Sequence, residues 1–239
     1  MPEDGVPLIP HKEILSFEEI YEFTEYVVKR GVYKVRITGG EPLVRKGIVQ
    51  LVAKLAKIEG ISDLAMTTNA ILLDKYAEKL AQASLHRVNI SLDTMDAKKY
   101  SEITRGGDIS KVLSGIQAAK KAGLTPIKIN TVVKKSAKEK DAQEVAAFCK
   151  EQGLEIRYIH EMNLDEGVFD VVEGGSGGDC LHCNRLRINA KGDVLPCLFS
   201  DIGYNIRVLG IEKAVELALE NKPKTGSVCH KNKFYNIGG

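Results

Sequence analysis

The sequence lacks the features that would assign it to a membrane, a secretory route or a nucleic acid. No apolar run approaches the roughly 20 residues that cross a bilayer. The first ten residues have neither a basic start nor a long apolar segment, so a signal peptide is not expected. Its 34 basic and 32 acidic residues leave a net charge of only +2, too small to indicate nucleic acid or an acidic membrane as a partner. We therefore expect a cytoplasmic protein.

Cysteine is present but sparse. Five cysteines occur in 239 residues, and without secretory signals they favour metal or thiol chemistry over disulfides.

The length suits one sizeable α/β domain with room for a small appendage. An apolar fraction of 44% and a charged fraction of 28% are ordinary for a folded, well-solvated protein.

Strand and helix patterns alternate through the first two thirds of the chain, which predicts a parallel sheet built from right-handed βαβ units. Five strands are too few for a closed eight-stranded barrel. The fold class is therefore α/β with an incomplete parallel βα barrel, followed by a hairpin that turns at Lys191 and Gly192. The predicted strands are 33–38, 63–67, 87–92, 127–133 and 154–161, and the predicted helices are 16–30, 47–58, 75–83, 97–103, 109–122, 138–152 and 211–220.

The predicted strands have two chemically different faces, because successive side chains of a strand point to opposite sides. A closed barrel fills its interior with bulky branched residues, whereas this sheet would turn polar groups inward. The alternative is a doubly wound sheet with satisfied polar groups. Because four strands agree in their alternation, the pattern favours a polar lumen that holds a ligand. Arg36 and Lys128 would suit a phosphorylated substrate. The apolar set is Val35, Ile37, Leu64, Met66, Val88, Ile90, Leu92, Ile127 and Ile129, and the polar set is Arg36, Thr38, Thr67, Asn69, Asn89, Ser91, Asp93, Lys128 and Asn130.

The first predicted strand runs directly into Gly39, Gly40, Glu41 and Pro42. Two glycines at a strand end allow a tight turn and a close approach of backbone to ligand. Their N–H groups could receive polar groups of a ligand, and Glu41 offers an acceptor for an ammonium or hydroxyl group. Pro42 biases Glu41 away from helix. The carboxyl ends of parallel strands are where ligands bind in α/β folds, so we expect a binding site here.

A second site is indicated by Cys180 and Cys183 at C-x-x-C spacing, with Cys197 across the predicted hairpin. Three thiolates so placed can converge on one metal centre. A redox dithiol lacks the strand and helix context it needs. On spacing alone a zinc site, completed by Cys229, His182 or His230, is favoured over a three-cysteine [4Fe-4S] cluster. Cys149 lies in a predicted helix and is interpreted as a core residue.

Two stretches together resemble the radical S-adenosylmethionine (SAM) enzymes. Gly-Gly-Glu-Pro, residues 39–42, is similar to the segment that receives the amino group of SAM in that family. The longer run 36–45 and the segments 180–187 and 192–199 resemble the GTP 3′,8-cyclase (MoaA) branch, which acts in molybdenum cofactor biosynthesis. Because of this resemblance, we favour a [4Fe-4S] cluster over a zinc ion at the cysteine site.

The resemblance implies a role for particular residues. In that branch a radical derived from SAM abstracts the 3′ hydrogen of GTP, and the ribose carbon attacks C8 of guanine to give (8S)-3′,8-cyclo-7,8-dihydroguanosine 5′-triphosphate. A reductant is needed as partner, and a homodimer is left open. By position, the SAM contacts are Gly40, Glu41, Ser91 and Met162; the GTP contacts are Arg36, Thr67, Lys128, Arg185 and Arg187; and the cluster ligands are Cys180, Cys183 and Cys197.

Two departures from the family pattern set further expectations. The first strand and the C-x3-C-x2-C loop that holds the SAM-cleaving cluster are absent from the sequence given, so we expect a truncated chain that does not cleave SAM by itself. The connection between Met162 and Cys180 is shorter than in the family by several tens of residues. We divide the chain into a partial barrel (1–162), a flexible glycine-rich linker (163–179) and a C-terminal cluster and GTP module (180–239).

Two rival functions remain open on the sequence. One is a radical SAM enzyme that acts on another substrate, such as a peptide, with the three cysteines as an auxiliary cluster. Arg185, Arg187 and the terminal Gly238-Gly239 argue against it. The other is a non-catalytic remnant that binds zinc or a nucleotide, which the missing loop favours.

Overall fold

The computed structural model describes residues 9–230, and its centre is a five-stranded parallel sheet. Each strand pairs with the strand that follows it along the chain, so the sheet is wound in one direction from edge to edge. This confirms the incomplete βα barrel, with strand ends within two residues of those predicted. The strands are β1 (Lys34–Ile37), β2 (Asp63–Thr68), β3 (Arg87–Ser91), β4 (Lys128–Val133) and β5 (Glu155–His160).

The helices cover one face of this sheet and lie close to their predicted positions. Two short 3₁₀ turns, His11–Glu13 and Pro42–Val44, were not predicted. The helices of this part of the chain are α1 (Phe17–Val28), α2 (Ile48–Leu55), α3 (Leu73–Gln82), α4 (Ala97–Thr104), α5 (Ile109–Lys121) and α6 (Lys140–Gln152).

The apolar face of the sheet forms the main core with these helices, as predicted. Leu64, Met66 and Ile90 are fully buried there, against residues such as Ile116 of α5. Val35 and Ile37 of the edge strand β1 are only partly buried. Cys149 of α6 is buried in the same core, which raises the pKa of its thiol to about 11 and confirms its interpretation as a core residue.

The C-terminal part is a small antiparallel sheet with two helices. β6 (Arg187–Ile188) and β7 (Asp193–Leu195) form the predicted hairpin, and β8 (Tyr204–Asn205) adds an unpredicted third strand. The turn needs glycine at position 192, where φ is +93°. The short α7 (Ile206–Leu209) was not predicted, whereas α8 (Ile211–Glu220) has the expected bounds.

Helix α1 joins the two parts of the chain. Ser16 and Glu19 form a capping box at its start: the Ser16 hydroxyl accepts from the Glu19 N–H, and Glu19 accepts from the Ser16 N–H. Arg207 of α7 also binds the Glu19 carboxylate, at 2.6 and 2.8 Å. Leu15, Phe23 and Val27 bury their side chains against a set from the C-terminal part: Val194, Ile206, Ala214, Val215 and Ala218.

The segment 163–179 is ordered by hydrogen bonds, which differs from the flexible linker expected from its composition. The backbone of Glu173 exchanges two hydrogen bonds with Tyr158 of the edge strand β5, both 3.0 Å. Val172 N–H donates to Gly177 O at 2.8 Å and closes a hairpin. Composition alone missed this structure because its partners lie in β5, outside the segment. The predicted division of the chain into three parts stays a prediction.

The terminal Gly238-Gly239, which the sequence analysis weighed, lies outside the described residues. Among residues 9–230, no helix combines the length and apolar character that crossing a membrane requires.

Candidate active site

The turn after β1 is open to solvent. Gly39 has φ of +148°, a conformation that side chains disfavour, and a Cβ on either Gly39 or Gly40 would meet nothing within 4 Å. Packing therefore does not explain the glycine at position 40. The room above the turn would allow close approach of a ligand to the backbone, and the binding site there stays a prediction.

The Glu41 carboxylate is largely occupied within the protein. It accepts hydrogen bonds from the N–H of Leu43 at 3.0 Å, the hydroxyl of Thr68 at 2.7 Å and the N–H of Asn69 at 2.7 Å. A carboxylate has about four lone-pair sites, so about one is left for a ligand. In the structure these hydrogen bonds link the glycine turn to the end of β2. The sequence did not reveal this link.

The polar face of the sheet has the predicted residues in register. Thr67 of β2 lies beside Asn89 of β3, whose amide donates to the Thr67 hydroxyl at 3.4 Å. Asn89 is fully buried and pairs with Lys128 of β4. Ser91 is exposed at the carboxyl end of β3. The structure thus brings Thr67, Ser91 and Lys128 to one side of the sheet.

Positive charge is concentrated on this face. Arg36 keeps solvent access, yet the surrounding protein lowers its pKa to about 10, and the charges of Arg157, Arg185 and Arg87 add to the effect. Several guanidinium groups therefore lie near one another, and a polyanion would relieve their mutual repulsion.

Two cations of this face already have carboxylate partners. Arg87 makes a bidentate pair with Asp63, at 2.7 and 2.8 Å, and both side chains are mostly buried. Lys128 lies 2.6 Å from Glu155, which is half exposed. A phosphate that bound Lys128 would compete with the half-exposed Glu155. The bidentate, mostly buried pair of Arg87 and Asp63 is harder for a ligand to displace.

Arg157 of β5 is a site residue that the sequence analysis missed. Each face of this strand carries both polar and apolar residues, so the sequence did not show which face points inward. Register places Arg157 beside Asn130 of β4, on the polar face. Burial first, then the charges of nearby arginines, lowers the pKa of Arg157. Within residues 9–230, its buried Nε and the buried Oδ1 of Asn130 have no hydrogen-bond partner.

Arg185 and Arg187 approach the face from the C-terminal part. Nη2 of Arg185 donates to the Ser176 hydroxyl at 3.1 Å. Arg187, in β6, is close to the thiols of Cys183 and Cys197, and burial followed by the charge of Arg185 lowers its pKa. The two arginines therefore connect the basic face with the cysteines.

The three predicted cluster ligands lie in the C-terminal part, and two of them have thiols whose pKa the surroundings change. Burial raises the pKa of the Cys197 thiol, and the nearby Cys180 and Cys183 raise it further. The N–H of Phe199 and the charge of Lys222 act in the opposite direction. For Cys183, burial is outweighed by the N–H of Arg185 and by the charges of Lys222, Arg185 and Arg187, so its pKa is lowered. Three soft thiols beside positive charge fit an iron–sulfur cluster. Among the described residues, no three His, Cys, Asp or Glu side chains form a ready site for a metal ion.

Lys222, which the sequence analysis also missed, connects the two sides of the cysteine site. Its ammonium group donates to the carbonyls of Arg185 at 2.8 Å and Pro196 at 2.6 Å. These carbonyls lie next to the segments of Cys183 and Cys197. No local pattern marks Lys222 in the sequence, because both contacts are long-range.

The residues considered as additional zinc ligands have other contacts. Cys229 is fully buried, and its thiol lies 3.1 Å from Ser200 O and 3.2 Å from Asp201 Oδ1. His182 pairs with Asp179 at 2.8 Å, and His230 lies 3.7 Å from Asp165.

Met162 packs in a small apolar cluster with Leu164, Phe199 and Cys197. The structure therefore places it towards the cysteine site, and its predicted contact with SAM stays a prediction.

Comparison with known proteins identifies the family. The family model of the radical SAM superfamily matches residues 3–149, more than half of the chain. The chain belongs to the radical SAM superfamily. It is accordingly a radical SAM enzyme, and this family implies a [4Fe-4S] cluster and SAM as cofactors.

Two curated relatives that the chain resembles are GTP 3′,8-cyclases. The GTP 3′,8-cyclase of Thermodesulfovibrio yellowstonii is 39% identical over 87% of this chain and 79% of its own length. That of Listeria monocytogenes serovar 1/2a is 36% identical over 97% of this chain and 85% of its own. The latter alignment runs over 283 residues, so the Listeria protein has internal residues without counterpart among the 239 here. This is consistent with the short connection before Cys180.

The fold also matches solved structures. Streptococcus suis SuiB bound to S-adenosylmethionine superposes with a TM-score of 0.61 at 18% identity, over 88% of this chain. Methylornithine synthase (PylB) gives a TM-score of 0.52 at 15% identity, over 62% of this chain. The chain spans 59% of the SuiB chain and 44% of the PylB chain. Similarity at this level establishes the fold alone.

Proposed function

We propose that this radical SAM enzyme acts on GTP, joining C3′ of the ribose to C8 of guanine in molybdenum cofactor biosynthesis. The observation that carries the proposal is the basic polar face, where Arg36, Arg157 and Lys128 lie on one side of the sheet and the charge of Arg185 acts on two of them. Its support is the 36–39% identity to GTP 3′,8-cyclases over most of the chain.

The triphosphate accounts best for the positive charge. Arginine binds phosphate through a planar fork with two parallel hydrogen bonds, and lysine acts as a compact charge. Arg36, Arg185 and Arg187 would take the former role and Lys128 the latter. Thr67 would contribute a hydroxyl group from the same face.

SAM would bind at the carboxyl ends of β1 and β3. The open Gly40 backbone and the exposed Ser91 hydroxyl are suited to its polar methionine part, with Glu41 supporting the turn and Met162 on the far side. Ser91 is two residues beyond Asn89, which pairs with Lys128, so the Ser91 and Lys128 positions are offset by roughly 6.6 Å along the strands. Bound SAM and a reduced SAM-cleaving cluster, separate from the one proposed at Cys180, Cys183 and Cys197, would supply the one-electron chemistry.

The cysteine site would hold a [4Fe-4S] cluster through Cys180, Cys183 and Cys197. Three ligands would leave one iron open beside Arg185 and Arg187. The positive charges of these arginines and of Lys222 would stabilise the thiolates and attract an anionic substrate.

Substitution of Arg185 tests the proposal. A hydrogen bond with a charged group contributes roughly 1.5–3 kcal/mol, so Arg185→Ala should weaken GTP binding by about tenfold or more. Arg185→Lys should also weaken it, because the charge stays but the fork is lost. The measurement is calorimetric titration of GTP into anaerobically reconstituted protein. Lys57→Ala, at an exposed position on the helix side of the sheet, is the charge control, and unchanged GTP affinity in Arg185→Ala would contradict the proposal.

A further inference from the structure

The connection from the barrel to the cysteines contains a hairpin of residues 172–178, which we call the glycine hairpin. Its base is closed by the hydrogen bond from Val172 N–H to Gly177 O, 2.8 Å. Two backbone hydrogen bonds fix Glu173 to Tyr158 on the exposed edge of β5. The hairpin is therefore held next to Arg157, the neighbour of Tyr158.

Close packing explains the glycines of this hairpin. A Cβ on Gly174 would lie 2.7 Å from the carbonyl oxygen of Ile156, and one on Gly177 would lie 2.7 Å from the Val172 side chain. Gly178 has φ of +80°, and its Cβ would lie 2.1 Å from the Asp170 carbonyl oxygen. Real Cβ atoms do not approach other heavy atoms this closely. The glycines at positions 174, 177 and 178 therefore allow a compact turn that larger residues would disrupt.

The glycine hairpin faces two arginines of the basic face. The space for a Cβ at Gly175 lies 3.6 Å from Nε of Arg157, and that at Gly177 lies 3.3 Å from Nη1 of Arg185. The Ser176 hydroxyl accepts a hydrogen bond from Nη2 of Arg185 at 3.1 Å. The hairpin thus borders both guanidinium groups with backbone and one hydroxyl group, and its one carboxylate, Glu173, lies 3.2 Å from His160 Nε2.

Unpartnered atoms next to the hairpin indicate a ligand. Arg157 Nε is a buried donor and Asn130 Oδ1 a buried acceptor, and neither has a partner in the described part of the chain. Buried polar groups are normally hydrogen-bonded, so each such exception needs a cause. A molecule with both an anionic oxygen and a hydroxyl group could satisfy the two together. A nucleotide has both, in its phosphate and its ribose.

We infer that the glycine hairpin is a wall of the substrate site that positions Arg157 and Arg185 for the phosphate tail of a nucleotide, with Ser176 as the positioning residue for Arg185. The nucleotide part of this inference rests on the proposed function. The hairpin would supply the wall that the short connection to Cys180 would otherwise leave open. If the hairpin only covered the edge of β5, its variants would change stability without changing phosphate binding.

The first test uses Ser176 with inorganic triphosphate as the probe. Ser176→Ala removes the acceptor for Arg185, and Ser176→Thr keeps a hydroxyl group. We expect triphosphate and GTP to bind about fivefold more weakly to Ser176→Ala, as loss of one hydrogen bond predicts, and nearly normally to Ser176→Thr. Calorimetric titration of the reconstituted full chain measures both ligands. Equal affinity in wild type and Ser176→Ala would overturn the inference.

A second pair of variants separates positioning from general packing. Gly177→Ala forces a Cβ against Val172 and towards Arg185, whereas Gly203→Ala creates a similar crowding against Leu195, 3.0 Å away, outside the basic face. We expect triphosphate to bind at least tenfold more weakly to Gly177→Ala and unchanged to Gly203→Ala. Thermal unfolding establishes that each variant is folded. If Gly177→Ala does not fold, the Ser176 pair decides.

The outcomes distinguish this inference from the proposed function. If GTP and ATP bind equally but Ser176→Ala weakens both, the hairpin inference stands and guanine specificity fails. If wild type prefers GTP but the hairpin variants bind triphosphate normally, the proposed function stands and the inference is wrong. If wild type does not bind triphosphate at all, both are contradicted.

Discussion

Removing the negative charge of Glu41 should loosen the glycine turn that follows β1. Oε1 of this carboxylate accepts from both Leu43 N–H and the Thr68 hydroxyl, and Oε2 accepts from Asn69 N–H. In Glu41→Gln one oxygen can still serve the first two donors. The new amide NH₂ then faces the Asn69 N–H, so two donors oppose each other.

The magnitude follows from the bonds that are lost. A hydrogen bond to a charged group contributes roughly 1.5–3 kcal/mol, so Glu41→Gln should lower the free energy of unfolding by about 2 kcal/mol. Glu41→Ala removes all three acceptor contacts and should cost about 3 kcal/mol or more, because network losses are not additive. A domain is typically stable by about 5–15 kcal/mol, so the effect is well within measurement.

Urea unfolding followed by circular dichroism is the assay. Glu59→Gln, at an exposed position with no hydrogen bond among residues 9–230, is the matched control and should stay within about 0.5 kcal/mol of wild type. A double-mutant cycle with Thr68→Val should show coupling, because Thr68 and Glu41 share a bond. Wild-type stability in Glu41→Gln would refute the reasoning and point to a carboxylate that is free for SAM.

Two further predictions concern the cysteines and pH. Anaerobically reconstituted protein should bind about four iron atoms per chain, and Cys229→Ala should retain them; one tight zinc atom lost in Cys229→Ala would contradict the cluster. For Glu19, the hydrogen bond with Arg207 first, and then the Ser16 backbone, lowers its pKa from 4.5 to about 2. Its stabilising effect is therefore complete above pH 4.5 and is lost as the pH falls towards 2. Urea unfolding should show a gap between wild type and Glu19→Gln at pH 6 that narrows by pH 3, and an equal gap at both would count against this pair.

The parts of the fold that could be predicted are those encoded by local periodicity. Alternation in β2, β3 and β4 distinguishes the core face from the polar face, because the period of two is a property of each strand alone. The capping box at Ser16 and the turn at Gly192 are equally local. Such local signals are sufficient to place Thr67, Ser91 and Lys128 on one face of the sheet.

The parts that could not be predicted depend on contacts between distant residues. Arg157 lies in a strand with apolar residues on both faces, and only pairing with β4 shows that it points to the polar side. The glycine hairpin reads as flexible because its partner, Tyr158, lies in β5. For Glu41 the hidden partners are Thr68 and Asn69 in the next βα unit.

The same limit applies to the cysteine site. Spacing predicted that Cys180, Cys183 and Cys197 could converge, but the described residues contain no ready metal site, so their convergence stays a prediction. Lys222, which bridges the carbonyls of Arg185 and Pro196, has no signature in the sequence. Its contribution comes from the packing of α8 onto the small sheet.

The most direct test of the central claim is base selectivity. GTP and ATP carry the same triphosphate, so the basic face alone would bind them equally. Calorimetric titration of both into wild-type protein with its cluster reconstituted should give tighter binding of GTP, by about tenfold or more if at least one hydrogen bond reads the guanine base. Equal affinities would contradict a GTP 3′,8-cyclase and leave a general polyphosphate site.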